Sequence, residues 1–185
     1  SFFDHKFIAR NNSVHLTSQN TGGNLFGIKN SVLGEVMIEN NTIALNNTVS
    51  ASGLMHFINH YGNLTSDAGI TIQNNNFAAS ELITTGMLVL INNNHRRNTE
   101  VNVLDNFTTG IINRQGASGS LYCYYNQSQS TGIENIGGNN FSNISVSGIT
   151  TFFGIFSDTH ASHTQNVFNN TFSNISAGTG TLHCI

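Results

Sequence analysis

Phe168-Asn169-Asn170-Thr171-Phe172 restates a segment that the chain has already used five times. The earlier copies are Arg10-Asn11-Asn12-Ser13-Val14, Glu39-Asn40-Asn41-Thr42-Ile43, Gln73-Asn74-Asn75-Asn76-Phe77, Leu104-Asp105-Asn106-Phe107 and Gly138-Asn139-Asn140-Phe141. Their apolar anchors, Val14, Ile43, Phe77, Phe107, Phe141 and Phe172, stand 29, 34, 30, 34 and 31 residues apart. Two places before each anchor lies an amide or its acid: Asn12, Asn41, Asn75, Asp105, Asn139 and Asn170. A fixed period of this size marks a repeat architecture and takes precedence over local propensity.

A second motif keeps the same period. Leu25 to Asn30 (LFGIKN), Leu54 to Asn59 (LMHFIN), Met87 to Asn92 (MLVLIN), Leu121 to Asn126 (LYCYYN) and Phe152 to Ser157 (FFGIFS) align without gaps, and Leu182 opens a sixth copy. This alignment predicts a second amide column at Asn30, Asn59, Asn92 and Asn126. Each repeat holds short runs of Ile, Val, Phe and Tyr broken by Asn, Gly, Ser and Thr, without helical spacing of its apolar residues. That pattern predicts two or three strands per repeat. A unit this small cannot close a core alone, so neighbours must stack. Parallel stacking sets like residues about 4.8 Å apart. An Asn at a turn then offers a donor and an acceptor to the coils on either side, and it tolerates the left-handed backbone of a sharp bend.

The Asn-Asn-x-Phe blocks and the Leu-x-x-Ile-x-Asn blocks, over Arg10 to Ile185, resemble the right-handed parallel β-helix superfamily, the architecture of pectin lyases and many surface proteins. The resemblance implies an all-β, right-handed parallel β-helix solenoid of about six coils of 29–34 residues, with residues 1–185 as one domain. The ends read as cut, so the chain is expected to be a fragment or processed piece of a longer one.

Composition narrows the function. Only 8% of residues are charged, with six Lys and Arg against nine Asp and Glu, while 30 are Asn. Nucleic-acid binding needs basic side chains to neutralise phosphates, so no nucleic-acid partner is expected. No apolar stretch approaches the roughly 20 residues of a membrane span, so no insertion is expected either. No cofactor and no metal set are read from the sequence. Cys123 and Cys184 fall in one column with Gly154 between them, too far apart to bridge.

The resemblance raises an enzyme of the polysaccharide lyase or glycosidase kind, for which Glu100, Glu134 and the Asp158–His160 loop are the candidate catalytic groups. Glu100 and Glu134 share a column in this alignment, as two carboxyls of a glycosidase must lie close. The family's paired Asp, Gly-His-Gly and Arg-x-Lys patterns are missing from the sequence. The leading expectation is therefore a non-catalytic structural or adhesive module, extracellular or at the cell surface. It would act on itself as an oligomer or filament, on adjoining parts of a longer chain, or on carbohydrate. Ice binding is a third reading; it needs an outward Thr-x-Thr ladder, and only Thr179-Gly180-Thr181 has that form, beside Ser50-Ala51-Ser52 and Ser145-Val146-Ser147. With the column-ending Asn turned inward, Ile58, Ile91, Tyr125 and Phe156 are expected to point outward as an apolar stripe, the predicted binding or assembly surface. Ten Asn-x-Ser/Thr sequons are present; Asn63 and Asn126 are the expected glycan acceptors, and Asn40 and Asn169 are expected to be occupied by the turn ladder.

Overall fold

The computed structural model describes residues 5–32, 34–62, 68–95, 100–127, 132–158 and 163–185. In chain order the strands are β1 (Lys6–Arg10), β2 (Ser13–Ser18), β3 (Leu25–Asn30), β4 (Glu35–Glu39), β5 (Thr42–Ala51), β6 (Met55–Gly62), β7 (Ile70–Gln73), β8 (Asn76–Thr84) and β9 (Leu88–His95). They continue as β10 (Val101–Leu104), β11 (Phe107–Gln115), β12 (Ser118–Asn126), β13 (Ile133–Gly137), β14 (Asn140–Val146), β15 (Ile149–Ser157), β16 (Thr164–Phe168), β17 (Thr171–Ala177) and β18 (Leu182–His183). Every third strand joins the same sheet, giving three six-stranded parallel sheets that begin with β1, β2 and β3. The chain is a parallel β-helix of six three-strand coils, about five full turns.

The turn between the first and second sheets carries the asparagine ladder. Its members are Asn12, Asn41, Asn75, Asn106, Asn139 and Asn170. In each step, Oδ1 of one Asn accepts both the backbone N–H and the Nδ2 of its counterpart one coil earlier, at 2.8–3.1 Å. From Asn41 onward, Nδ2 also donates to a carbonyl of the first sheet. This satisfies backbone groups at a bend that would otherwise be buried unpaired.

Asp105 is not a rung of this ladder. It occupies the preceding position, where Asn11, Asn40, Asn74, Asp105 and Asn169 all have φ between 52° and 57° and Gly138 has φ 66°. A carboxylate has no N–H to give and cannot replace the donating amide, but Asp tolerates the left-handed backbone. The displaced register has a cause in the core. Opposite Phe77 lies Thr108, not Phe107. Phe107 is 37% exposed, whereas Thr108 is buried and hydrogen-bonds the Ser142 backbone N–H and carbonyl at 2.9 and 2.5 Å. Phe77 and Phe141, two coils apart, approach to 6.4 Å between ring centroids over this small side chain.

The second amide column also differs from expectation. In the third sheet Leu25 pairs with Met55, Met55 with Leu88, and Leu88 with Leu121, one residue later in two coils than the sequence alignment placed them. The inward polar column is Asn30, His60, Asn93, Asn126 and Ser157, while Asn59 and Asn92 stand one place earlier beside Lys29 and Tyr125. Asn30 and His60 are joined at 3.1 Å through Nδ2 and Nδ1, and Asn92 donates to Asn59 at 2.6 Å. Phe57-Ile58, Leu90-Ile91 and Cys123-Tyr124 are consecutive residues that all lie in the core. Strict alternation therefore fails at this point of the second, third and fourth coils, and an alternation rule turns the wrong side chain outward.

Both cysteines are free, Cys123 buried and Cys184 exposed. Among the described residues, Arg114 is the largest fully buried side chain. It binds three successive coils, donating to the Gly86 carbonyl at 3.0 Å, the Ser118 carbonyl at 2.6 Å and Thr150 Oγ1 at 2.5 Å. Burial lowers its pKa to about 10, so it stays charged at neutral pH.

Candidate functional site

The outward side chains of the third sheet change character along the axis. In the first three coils its two outer columns hold Phe26, His56 and Val89, and Lys29, Asn59 and Asn92; all but Phe26 and Lys29 are buried. His56 Nδ1 donates to Asn59 Oδ1 over 3.0 Å, and burial lowers its pKa against the raising effect of that bond. In the last three coils the same columns become Tyr122, Phe153 and His183, and Tyr125 and Phe156. Here the four Tyr and Phe rings are half-buried and His183 is exposed.

Like-on-like stacking orders these rings. Tyr122 lies parallel to Phe153 (4.7 Å, 4°) and Phe153 to His183 (4.9 Å, 10°), while Tyr125 lies near parallel to Phe156 (5.4 Å, 17°). Carbon atoms in contact are about 3.5–4.0 Å apart, so parallel rings at these centroid distances are offset, and each leaves part of its face clear. The two columns meet at 58–75° with centroids 4.6–5.7 Å apart. The result is a corrugated aromatic face that strands β12, β15 and β18 hold rigidly. Asp158 lies at its margin: its charge, after burial and Tyr122, helps raise the pKa of the Tyr125 phenol. Tyr125 is thus a neutral hydroxyl at physiological pH.

Beneath this sheet, Glu134 is wholly buried in the corner between the third and first sheets. Its inward column reads Val36, Ile70, Val101, Glu134 and Gln165, so the carboxylate replaces an apolar residue. Oε1 accepts from the Tyr124 hydroxyl and from Asn126 Nδ2 at 2.5 Å. Oε2 accepts from Ser157 Oγ at 2.9 Å and Gln165 Nε2 at 2.8 Å, with His163 Nε2 at 3.3 Å. Burial and Glu134 together hold the Tyr124 pKa well above the tyrosine range. A carboxylate with this many donors and no exposed surface is a structural anchor.

The sequence candidates are distributed as follows. Tyr125 and Phe156 are on the aromatic face, but Ile58 and Ile91 are completely buried core residues, for the reason of failed alternation given above. Glu100 is exposed and faces the Ile133 column; Val101, not Glu100, pairs with Glu134, so the two carboxylates do not share a column. Asp158 is exposed at the rim of the aromatic face, and His160 lies outside the described residues. Asn126 is fully buried with its amide committed to Glu134 and cannot carry a glycan; Asn63 lies outside the described residues. Tyr122, Phe153 and His183 were missed, although the pairs Tyr122/Tyr125 and Phe153/Phe156, each three residues apart on adjacent repeats, were visible. Among the described residues, no three His, Cys, Asp or Glu side chains are placed to hold a metal ion. No protein family, curated protein or solved structure gives a significant match to this chain.

Proposed function

We propose that this chain is a non-catalytic extracellular adhesive module that holds uncharged glycan on the outer face of its third sheet. The observation that carries the reading is the aromatic face formed by Tyr122, Tyr125, Phe153 and Phe156. A contiguous apolar patch that keeps part of its surface open beside polar groups is a usual mark of an interaction site. Pyranose rings present C–H faces that pack on aromatic carbon and hydroxyls that bond to groups such as the Tyr125 hydroxyl and Asp158. The low charge of the chain favours a neutral ligand over a nucleic acid or an acidic polymer. A lyase or glycosidase reading is weakened because Glu134 is enclosed, satisfied and out of reach of a polymer.

Affinity electrophoresis in gels containing neutral polysaccharides tests this reading. Retardation of the wild type by mannan or a soluble β-glucan, lost in Phe153→Ala/Phe156→Ala, supports it. Equal mobility of both proteins in every gel contradicts it. Light scattering distinguishes the competing occupant, a second copy on the same face: dimers dissociated by the same substitutions and indifferent to glycan would replace the glycan reading.

A further inference from the structure

We infer that, among the described residues, Asn169 and the neighbouring pair Asn11 and Asn40 are the N-glycan acceptors, all on the edge between the first and second sheets. The inference rests on the extracellular reading above for its biological setting, and on side-chain geometry for the choice of sites.

The nine sequon asparagines among the described residues divide sharply by what their amides do. Asn106 and Asn126 are fully buried and use both side-chain atoms or a carboxylate partner in the interior. Asn174 donates to Asn143 at 3.0 Å, and Asn46 accepts the Glu81 N–H at 2.9 Å, so these lie within the hydrogen-bonded face of the second sheet. Asn140 Oδ1 accepts the Ser142 hydroxyl. Asn11, Asn40 and Asn169 differ from these in that their side chains make no hydrogen bond among the described residues. Each is exposed with φ 53–57°, a left-handed backbone that Asn143 and Asn174 share, and the ladder bonds are made by the next residue, Asn12, Asn41 or Asn170.

The hydroxyl of each sequon is also on the outside. Ser13, Thr42 and Thr171 occupy one column, a position whose side chains point away from the core while Val14, Ile43 and Phe172 point in. A single turn therefore presents amide and hydroxyl together, and the inward Asn between them fixes their geometry. In the transfer, the amide Nδ2 forms a bond to the anomeric carbon of a lipid-diphosphate-linked oligosaccharide. The bond from that carbon to the diphosphate oxygen breaks, lipid diphosphate leaves with the electron pair, and the amide gives up one proton.

Spacing predicts occupancy. Asn11 and Asn40 are on adjacent coils, about 4.8 Å apart by strand spacing, which is too close for two branched glycans to be accommodated freely. They are expected to share one glycan between them. Asn169 follows Gly138 in its column and faces no such competitor. This edge is the one the third sheet does not border, so glycans there leave the aromatic face open.

The test is secretion of the whole chain from a eukaryotic host, followed by peptide mapping before and after enzymatic deglycosylation in heavy-oxygen water. The expected result is label at Asn169, label divided between Asn11 and Asn40, and none at Asn106 or Asn126. Thr171→Ala removes the Asn169 glycan while leaving the turn asparagine in place, and keeps the variant folded as judged by its melting curve. A bare Asn169 in the folded, secreted protein overturns the assignment, as does a glycan at Asn106 or Asn126. The same mapping of native material bears separately on export: bare native peptides beside glycosylated recombinant ones count against the extracellular reading and still support the choice of sites.

Discussion

Asn106 Oδ1 accepts two hydrogen bonds from Asn75, one from its Nδ2 at 2.9 Å and one from its backbone N–H at 3.0 Å. In the same rung the Asn106 amide donates to the Ile72 carbonyl and to Asn139, both at 2.9 Å. One side chain therefore links three coils. Asn106→Ala leaves buried partners on both sides unpaired, at about 1–3 kcal/mol for each orphaned group. The expected loss is about 3 kcal/mol or more in chemical denaturation. Asp105→Asn, one residue away at an exposed position, is expected to change stability by no more than about 0.5 kcal/mol. Similar losses for both substitutions would place the ladder at the wrong residue.

Core and face residues of the third sheet separate by truncation. Ile91→Ala empties a completely buried position and is expected to cost about 2–5 kcal/mol. Phe156→Ala removes a half-buried ring and is expected to cost about 1 kcal/mol. Urea midpoints of the two variants, with unchanged slopes, measure the difference. A Phe156 cost as large as that of Ile91 would mean the aromatic face is covered.

Alkaline pH should weaken the fold through Tyr124. Its folded pKa is raised, chiefly by burial and then by Glu134, so the folded chain retains a proton that the unfolded chain releases near pH 10. The stability from this group is complete below that pH and is lost as pH rises toward the folded value. Denaturation midpoints between about pH 8 and 11 should fall for the wild type and fall less for Tyr124→Phe, despite the lower starting stability of the variant. Parallel curves would contradict the assignment.

The Phe77–Phe141 approach over Thr108 makes a fourth prediction. Exchanging residues to Phe107→Thr/Thr108→Phe restores the pattern of the other coils in sequence but overfills a space the two rings already occupy. Overpacking costs about 1–3 kcal/mol, and loss of the Thr108 bonds to Ser142 adds to it. A double variant as stable as the wild type would show that the gap is not filled.

These cases explain how much of the molecule was legible in its sequence. Period, strand content, parallel stacking and five of six ladder rungs followed from Asn pairs recurring beside apolar anchors. The sixth rung failed because Phe107 imitates the anchor while a hydroxyl residue, Thr108, fills it through hydrogen bonds that no hydropathy pattern records. The third sheet was misread by one residue because two consecutive inward side chains in the second, third and fourth coils break the period of two. The aromatic face was half found for the same reason: Tyr125 and Phe156 were placed outward by a rule that wrongly carried Ile58 and Ile91 with them. Glu134 could not be read as buried, since its five donors come from β12, β15, β16 and the residue before β16, brought together only by coiling.

Saturation-transfer NMR reads out whether the aromatic face of coils four to six holds uncharged sugar. Irradiating the protein's aromatic protons in the presence of cellohexaose or mannohexaose should transfer saturation to the sugar C–H protons. The transfer should disappear in Tyr125→Ala/Phe153→Ala while the melting curve of that variant remains cooperative. No transfer from the wild type, or undiminished transfer from the variant, would contradict the account.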